Sequence, residues 1–279
     1  MDLILQGQDV ETGDLKNAAK LTRASAIERI TANAFRLRGA HEESGIAGLC
    51  EAAELDYGYV PEDRRLADFR LLVMDMDSTL ITIETIDELA DMVGLKKEVA
   101  AITEAAMRGE IEYDESLRRR VSVLEGLGED ALARVYDERV KLTPGADKLL
   151  AAARAAGLKT LLVSGGFTYV TDRLQTRLNL DYTRSNCLEL VDGKLTGEVV
   201  GDIVNADRKR EALIEVRDRL GLGREEIVGI GDGANDLKFM GECGVSIAYH
   251  AKPIVRGQTT YALNFVDLNG VLPLFNCAQ

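Results

Sequence analysis

The sequence predicts an α/β fold, in which helices cover both faces of a parallel sheet and a small α+β domain precedes it. Short, continuously apolar segments at residues 71–74, 161–163 and 227–230 have the pattern of strands buried on both faces. Segments with helical periodicity alternate with them along the chain, as expected for strand–helix–strand units. Each of the three apolar segments also ends in a polar turn, so these turns are expected at one edge of the sheet.

Residues 1–66 are predicted to form the small N-terminal domain. The order of its elements is βαββαβ, which is a ferredoxin-like arrangement. The predicted elements are a strand at 3–6, a helix at 14–25, two short strands within 27–37, a helix at 42–55 and a strand at 56–60. The polar segment Pro61-Glu62-Asp63-Arg64-Arg65 then acts as a linker.

The main domain is predicted to consist of residues 67–81 and 143–279. Its elements after the first strand are a helix at 146–156, a strand at 159–163, a helix at 168–178, a hairpin at 188–200, a helix at 207–220 and strands at 227–230 and 245–248. Residues 82–142 show no strand pattern and are predicted to be an all-helical insertion, with helices at 84–94, 96–109, 114–126 (capped by Asp114) and 130–140.

Composition excludes several classes of function. A net charge of −13 argues against nucleic acid or an anionic membrane as the main partner. No apolar segment approaches the roughly 20 residues of a membrane span, and the N-terminus lacks the features of a signal peptide. The cysteines are scattered, which predicts reduced, mostly buried thiols in a cytoplasmic protein; they are Cys50, Cys187, Cys243 and Cys277.

The first polar turn carries Asp75 and Asp77, directly after the apolar segment 71–74. Two carboxylates this close repel each other unless a cation lies between them or one of them holds a proton. A divalent cation resolves that repulsion, and oxygen-only ligands suit Mg²⁺. This turn is therefore the first candidate for a functional site.

The other two turns add an anion-binding element and further acids. Gly165 and Gly166 follow Ser164 and allow the main chain to approach an anion, and the helix predicted from Thr168 directs its positive end to the same place. The third turn, Gly231-Asp232-Gly233-Ala234-Asn235-Asp236, brings two more aspartates. Lys209, in the first turn of its helix, provides a positive charge for a phosphate. Together these parts suggest phosphoryl transfer through an aspartyl phosphate.

The four motifs resemble, in order and spacing, those of the haloacid dehalogenase (HAD) superfamily of phosphatases. They are Asp75-x-Asp77-x-Thr79, the strand-end Ser164, Lys209, and Gly231-Asp232-x-x-x-Asp236. Segments 74–87, 116–122, 163–167, 192–197 and 231–236 further resemble phosphoserine phosphatases, and the resemblance covers roughly residues 68–275. It implies a HAD-like Rossmannoid core with a helical cap at residues 82–142. Residues 1–66 lie outside it, although some members of that family carry an N-terminal regulatory domain of the ACT type.

The resemblance implies a role for each matching residue. Asp75 would be the nucleophile, and Asp77 the general acid and base, with its backbone carbonyl also touching the metal. Asp75 and Asp232 would bind Mg²⁺ through their side chains, with Asp236 supporting them. The phosphoryl oxygens would be held by Ser164, the Gly165 backbone, Lys209 and Asn235.

Substrate specificity is expected to lie on the helical cap. Phosphoserine has an ammonium and a carboxylate besides its phosphate, and Glu84 suits the ammonium. At about 100° per residue, Arg120 lies closest to the apolar stripe of its helix, whereas Arg119 points nearly opposite to that stripe and Arg118 lies to one side. Arg120 is therefore the arginine expected to bind the substrate carboxylate.

The predicted function is that of a Mg²⁺-dependent phosphatase that makes L-serine and phosphate from O-phosphoserine, which the resemblance implies is the last step of L-serine biosynthesis. Three alternatives stay open. One is a phosphatase or phosphotransferase for another small phosphate, such as phosphohomoserine. Another is a signalling receiver, which Asp77 and the insertion disfavour, and the third is an inactive sensor. The sequence also leaves open a homodimer, and whether residues 1–66 bind an amino acid, pair between subunits or only pack.

Overall fold

The computed structural model describes residues 1–276, except for the side chain of Met107. Cys277 therefore lies outside the described residues; Cys50 and Cys243 are buried free thiols and Cys187 is an exposed one. The strands are β1 Asp2–Gln6, β2 Ala26–Arg29, β3 Ala34–Arg38, β4 Asp56–Val60, β5 Leu71–Met74, β6 Lys159–Phe167, β7 Tyr182–Val191, β8 Lys194–Val200, β9 Ile227–Gly231, β10 Val245–Tyr249 and β11 Tyr261–Leu263.

The helices are α1 Thr12–Thr22, α2 Gly45–Ala52, α3 Thr85–Met92, α4 Lys96–Met107, α5 Tyr113–Ser122, α6 Glu129–Glu138, α7 Ala146–Ala155, α8 Thr168–Leu178, α9 Ala206–Leu220, α10 Leu237–Met240 and α11 Pro253–Arg256. Helices and strands alternate in most of the chain as the sequence pattern predicts, whereas α3–α7 follow one another without a strand and the short helices α10 and α11 were not predicted. No helix within residues 1–276 is long and apolar enough to cross a membrane.

The larger sheet has the strand order β11-β10-β9-β5-β6-β7-β8. β9, β10 and β11 run parallel to one another, as do β6 and β7, whereas β7 and β8 form the antiparallel hairpin. The predicted α/β fold is thus confirmed. The sequence pattern missed β11 and the first half of β7, because three residues are too few to show a pattern and residues 182–186 are largely polar.

The chain forms two compact units. The first unit comprises Met1–Leu72, Pro144–Lys159 and the described part of Leu222–Gln279, and the second comprises Val73–Thr143 and Thr160–Gly221. Each is described by itself below.

In the first unit, the N-terminal segment forms an antiparallel sheet of order β2-β3-β1-β4, which is the predicted ferredoxin-like order. One face of this sheet packs on α1 and α2 through a cluster that includes Leu3, Leu37 and Ile46. The alternation of side chains along each strand then directs the other residues to the opposite face, which includes the polar residues Asp2, Gln6, Arg36 and Arg38.

Residues 1–60 are anchored within the first unit by hydrogen bonds to the C-terminal part of the chain. The buried carboxylate of Asp56 accepts from the backbone N–H of Asn264 at 2.7 Å and of Phe265 at 2.9 Å. The Tyr261 hydroxyl donates to the Tyr59 carbonyl at 3.0 Å. The Tyr261 ring packs against Gly58, since a Cβ added to Gly58 would lie 2.7 Å from a ring carbon. Packing is therefore one role that this N-terminal segment fulfils.

In the second unit, helices α3–α6 form the predicted all-helical segment. Their apolar faces share a core with strands of the same unit, including Leu89, Leu117, Val121, Phe167 and Leu195. The residues that lead into and out of this segment are joined by an antiparallel β-bridge between Ile81 and Leu142. A second attachment is made by the Gly126 N–H, which donates to the Leu195 carbonyl at 2.8 Å.

The start of α5 differs from the prediction that Asp114 caps this helix. The helix begins at Tyr113 with Glu112 as its N-cap residue, so Asp114 lies in the first turn. Its carboxylate instead accepts a hydrogen bond from the Asn205 amide at 3.0 Å. A tertiary contact has therefore replaced the local cap that the sequence suggested.

Candidate active site

The centre of the candidate site is an ion pair between Asp75 and Lys209. Asp75 follows β5 and is 5% exposed, and its Oδ1 accepts from the Met76 N–H at 2.7 Å. The same oxygen lies 2.8 Å from Lys209 Nζ, and the lysine is 1% exposed. Because a buried ammonium without a partner is costly, this contact fixes the lysine next to the aspartate.

Lys209 is positioned by the cap of its helix. Asn205 is the N-cap residue of α9, and its side-chain oxygen accepts from the N–H groups of Asp207 and Arg208, both at 3.1 Å. The Lys209 N–H donates to the Asn205 carbonyl at 2.8 Å. A side-chain cap of this kind stabilises a helix start by about 1 kcal/mol, so the first turn that carries Lys209 is well defined.

Asp77 lies in the turn Met76–Leu80, which the start of α3 holds in place. The Thr85 hydroxyl donates to Asp77 Oδ1 at 2.6 Å. The Ser78 hydroxyl donates to Glu84 Oε1 at 2.7 Å, and Ser78 itself has a positive φ of 56°. Glu84 and Thr85 therefore bring the cap segment to the turn that carries the two aspartates.

The two carboxyl groups of Asp77 and Glu84 both bind protons more tightly than usual. Burial, followed by the negative charge of Glu84, raises the pKa of Asp77 to about 7. Burial of its carboxylate among protein atoms also raises the pKa of Glu84, while the Ser78 hydroxyl and the charge of Arg120 act in the opposite direction. A carboxyl group that titrates near neutral pH can both donate and accept a proton under working conditions.

The segment Ser164-Gly165-Gly166 continues β6 with a register break between Val163 and Phe167. The Ser164 hydroxyl is fully buried and accepts from the Gly166 N–H at 2.8 Å, and the Asn186 amide donates to the Gly165 carbonyl at 2.7 Å. A Cβ on Gly166 would lie 3.1 Å from Asp77 Oδ2. Glycine is therefore needed here for close approach to the acidic turn.

Arg120 is the arginine of its helix that faces inward. Arg118 and Arg119 are exposed, and Arg119 pairs with Glu115 at 2.7 Å, whereas Arg120 is half-buried. Its Nε lies 3.4 Å from the Ser116 carbonyl oxygen. Its positive charge partly opposes the rise in the pKa of Glu84 that burial causes. This burial order agrees with the predicted helix phase.

The third predicted turn follows β9 and is stabilised by a hydrogen bond between its own residues. Asp236 is fully buried, and its Oδ2 accepts from the Gly233 N–H at 3.0 Å. A Cβ on Gly231 would lie 2.6 Å from the same oxygen, so glycine is required for the tight turn. Asp232 and Asn235 are half-buried on this turn.

Asp75, Asp232 and Asp236 form an acidic cluster that could hold a metal ion. Each offers one carboxylate oxygen, and these oxygens lie within 4.8 Å of one another. Three carboxylates in such proximity favour a cation of high charge density, and an all-oxygen set is the donor chemistry of Mg²⁺ or Ca²⁺. The residues present therefore fit a divalent cation.

Sequence reasoning did not select Tyr113, which the structure places beside the Ser-Gly-Gly segment. A Cβ on Gly165 would lie 2.2 Å from the Tyr113 hydroxyl oxygen. Burial raises the pKa of this tyrosine, while the positive charges of Lys209 and Arg120 lower it. The available signal was its position seven residues before Arg120, which is two helical turns and hence the same face. Thr85 and Asn205 were also missed, since both act through other residues.

Comparisons with known proteins place the chain in a family. The family model described as haloacid dehalogenase-like hydrolase matches residues 69–244, and a domain of unknown function (DUF4072) matches residues 3–44. A phosphoserine phosphatase from Polaromonas sp. is 54% identical over 217 residues, which cover 76% of this chain and 92% of that protein.

Two solved structures are similar in fold to this chain. The unliganded probable phosphoserine phosphatase from Vibrio cholerae has a TM-score of 0.86 at 36% identity, with 98% of this chain and 86% of that chain covered. A phospho-aspartyl intermediate analogue of phosphoserine phosphatase has a TM-score of 0.70 at 36% identity, with 75% and 99% covered. Given the matched family model and a relative of this identity and coverage, the chain belongs to the phosphoserine phosphatases among the haloacid dehalogenase-like hydrolases.

Proposed function

We propose that this chain hydrolyses O-phospho-L-serine to L-serine and phosphate through an aspartyl phosphate on Asp75. The observation that carries the proposal is the buried Asp75–Lys209 pair at 2.8 Å, next to a turn in which Asp77 has a pKa of about 7. The names of the relatives support the substrate, and the phospho-aspartyl analogue of one solved relative supports the intermediate.

In the first step, a carboxylate oxygen of Asp75 attacks phosphorus and the bond from phosphorus to the serine oxygen breaks. Protonated Asp77 gives its proton to that oxygen, so serine leaves as the neutral alcohol. In the second step, water attacks the phosphorus of the acyl phosphate and the ionised Asp77 takes its proton. Phosphate leaves, and both Asp75 and Asp77 return to their starting states.

The phosphoryl oxygens are held, in this proposal, by Ser164, the Gly165 N–H, Lys209 and Asn235. Lys209 Nζ lies 2.8 Å from Asp75 Oδ1, and its positive charge stabilises the negative charge that accumulates on the phosphoryl oxygens. Glu84 binds the substrate ammonium and Arg120 its carboxylate. The half-buried position of Arg120 and its influence on Glu84 support this pair.

Magnesium is the proposed cofactor, held by the side chains of Asp75 and Asp232 and the Asp77 carbonyl, with Asp236 in support. When bound, Mg²⁺ would neutralise phosphoryl charge and so assist nucleophilic attack. The acidic cluster supports this assignment because its carboxylates need a compensating cation.

The proposal also includes the organisation and setting of the protein. Residues 1–66 form an N-terminal domain, residues 67–81 and 143–279 the catalytic core, and residues 82–142 the cap. The reaction serves as the last step of L-serine synthesis in the cytoplasm. Cell fractionation tests the location, and analytical ultracentrifugation tests whether the homodimer that the sequence leaves open exists.

The experiment that tests the activity measures phosphate release from a panel of phosphorylated small molecules. O-phosphoserine, phosphohomoserine, phosphothreonine and p-nitrophenyl phosphate are compared with Mg²⁺ and with EDTA. We expect O-phosphoserine to have the highest kcat/KM and activity to disappear in EDTA and return with Mg²⁺. A preference for another compound would contradict the substrate, and full activity in EDTA would contradict the cofactor.

A further inference from the structure

A cavity of about 890 Å³ lies in the first unit, on the polar face of the N-terminal sheet. Its walls are this sheet, the β2–β3 turn at residues 30–33, residues 266–276 and Lys148 of α7. None of the active-site residues named above is among its described lining residues. Its volume falls within the roughly 300–1,000 Å³ of small-molecule sites, so it is large enough to hold a small ligand.

The charge of the cavity is opposite to that of the protein. Four basic side chains line it, against two acidic ones, Glu28 and Asp267, whereas the whole chain has a net charge of −13. The basic residues are Arg29, Arg36, Arg38 and Lys148. A concave, locally positive site in an acidic protein attracts small anions and not polyanionic surfaces, because long-range repulsion opposes the latter.

Arg36 provides the strongest reason to expect a ligand. It is 4% exposed, yet its three hydrogen bonds are long: 3.4 Å to Asp2 Oδ2 and 3.3 Å to the carbonyl oxygens of Pro273 and Phe275. Asp2 makes its short contact, 2.6 Å, with Arg38 instead. Charge-assisted bonds of arginine are normally about 2.7–2.9 Å, so Arg36 is a buried cation whose partners compensate it weakly.

Electrostatics around Arg36 agree with this geometry. Burial and the neighbouring charge of Arg38 lower its pKa, and Asp2 and Glu28 only partly offset them. An oxyanion that reaches the cavity would offer Arg36 the short, paired hydrogen bonds that it lacks, since guanidinium and carboxylate or phosphate groups match as forks.

The remaining lining combines neutral polar residues, such as Gln6, Asn33 and Asn269, with apolar ones. Among the apolar residues, Ile30 at the turn is 40% exposed and Leu272 is half-buried, so these two present apolar surface to the cavity. A bare inorganic ion would leave this surface in contact with water, whereas a ligand with an apolar body would cover it.

We propose that this cavity binds a small organic anion, with a carboxylate or phosphate group on Arg36, Arg29 and Lys148 and an apolar body against Ile30 and Leu272. This is a second site, which goes beyond the proposed hydrolysis and does not depend on it.

The test is isothermal titration calorimetry on the full-length protein in EDTA at constant ionic strength. Phenylphosphonate and benzoate share a ring and differ in the anionic group, and inorganic phosphate lacks the ring. The variant is Arg29→Ala/Lys148→Ala; both side chains are exposed, so we expect the fold to tolerate their loss, which circular dichroism checks. The matched control is Lys16→Ala/Lys20→Ala, which removes the same charge from the exposed surface of α1.

We expect one of the ring compounds to bind to the wild-type protein and the control with the same affinity, and at least about 10-fold more weakly to the variant, through lost charge-assisted contacts. Preference for phenylphosphonate or for benzoate would assign the anionic group. The proposal is overturned if neither compound binds, if the variant binds as tightly as the wild type, or if inorganic phosphate binds as tightly as the ring compounds.

Discussion

Arg120→Ala tests the link between the cap and substrate choice. Among the described residues Arg120 makes a single hydrogen bond, at 3.4 Å to the Ser116 carbonyl, so the variant should keep its stability within about 1 kcal/mol. A charge-assisted bond to the substrate carboxylate contributes about 1.5–3 kcal/mol. At about 1.4 kcal/mol per factor of ten, kcat/KM for O-phosphoserine should fall by about 10- to 150-fold.

Steady-state phosphate release measures this loss, and p-nitrophenyl phosphate, which has neither carboxylate nor ammonium, should be hydrolysed at a nearly unchanged rate. Arg119→Ala is the matched control because Arg119 is exposed and pairs with Glu115 on the surface. It should leave both substrates unaffected. Equal losses for both substrates in Arg120→Ala would mean that the arginine supports the fold or the phosphate site, and the assignment would be refuted.

Three further predictions concern the reacting groups and a fourth concerns the packing of Gly165. Asp75→Asn should abolish turnover and phosphoenzyme formation, since an amide is no nucleophile; normal phosphate release would exclude Asp75 from this role. Asp77→Asn should accumulate a phosphoenzyme from p-nitrophenyl phosphate, detectable by acid-quenched intact mass spectrometry, because water attack lacks its base; rapid hydrolysis without an adduct would contradict this. With its pKa raised to about 7, Asp77 loses its proton as the pH rises, so kcat/KM for O-phosphoserine should fall above pH 7. The value for p-nitrophenyl phosphate, whose leaving group needs no acid, should stay constant, and parallel pH profiles for the two substrates would argue against the acid role. Gly165→Ala should destabilise the protein by about 1–3 kcal/mol in urea unfolding, because its Cβ would lie 2.2 Å from the Tyr113 hydroxyl, and adding Tyr113→Phe should recover part of that loss; additive effects would rule out the contact.

The sequence alone determined the fold class and most of the element order. Buried strands such as β5 and β9 are continuous apolar segments, and the turns after them contain Asp75 and Asp232. Both the apolar pattern of a strand and the polar residues that end it are local properties of the sequence. The helix phase that turns Arg120 inward is likewise a local property, because it depends only on 3.6 residues per turn.

Tertiary structure alone decided which side chains meet. Asp114 was expected to cap α5, but Asn205, 91 residues later, binds its carboxylate, and no periodicity encodes that contact. The 2.8 Å pair of Asp75 and Lys209 likewise joins residues distant in sequence, and the raised pKa of Asp77 depends first on burial. The cavity around Arg36 arises where the N-terminal sheet meets residues 266–276. Sequence patterns specify which face of an element is buried, whereas the partner of that face follows from the packing of the whole unit.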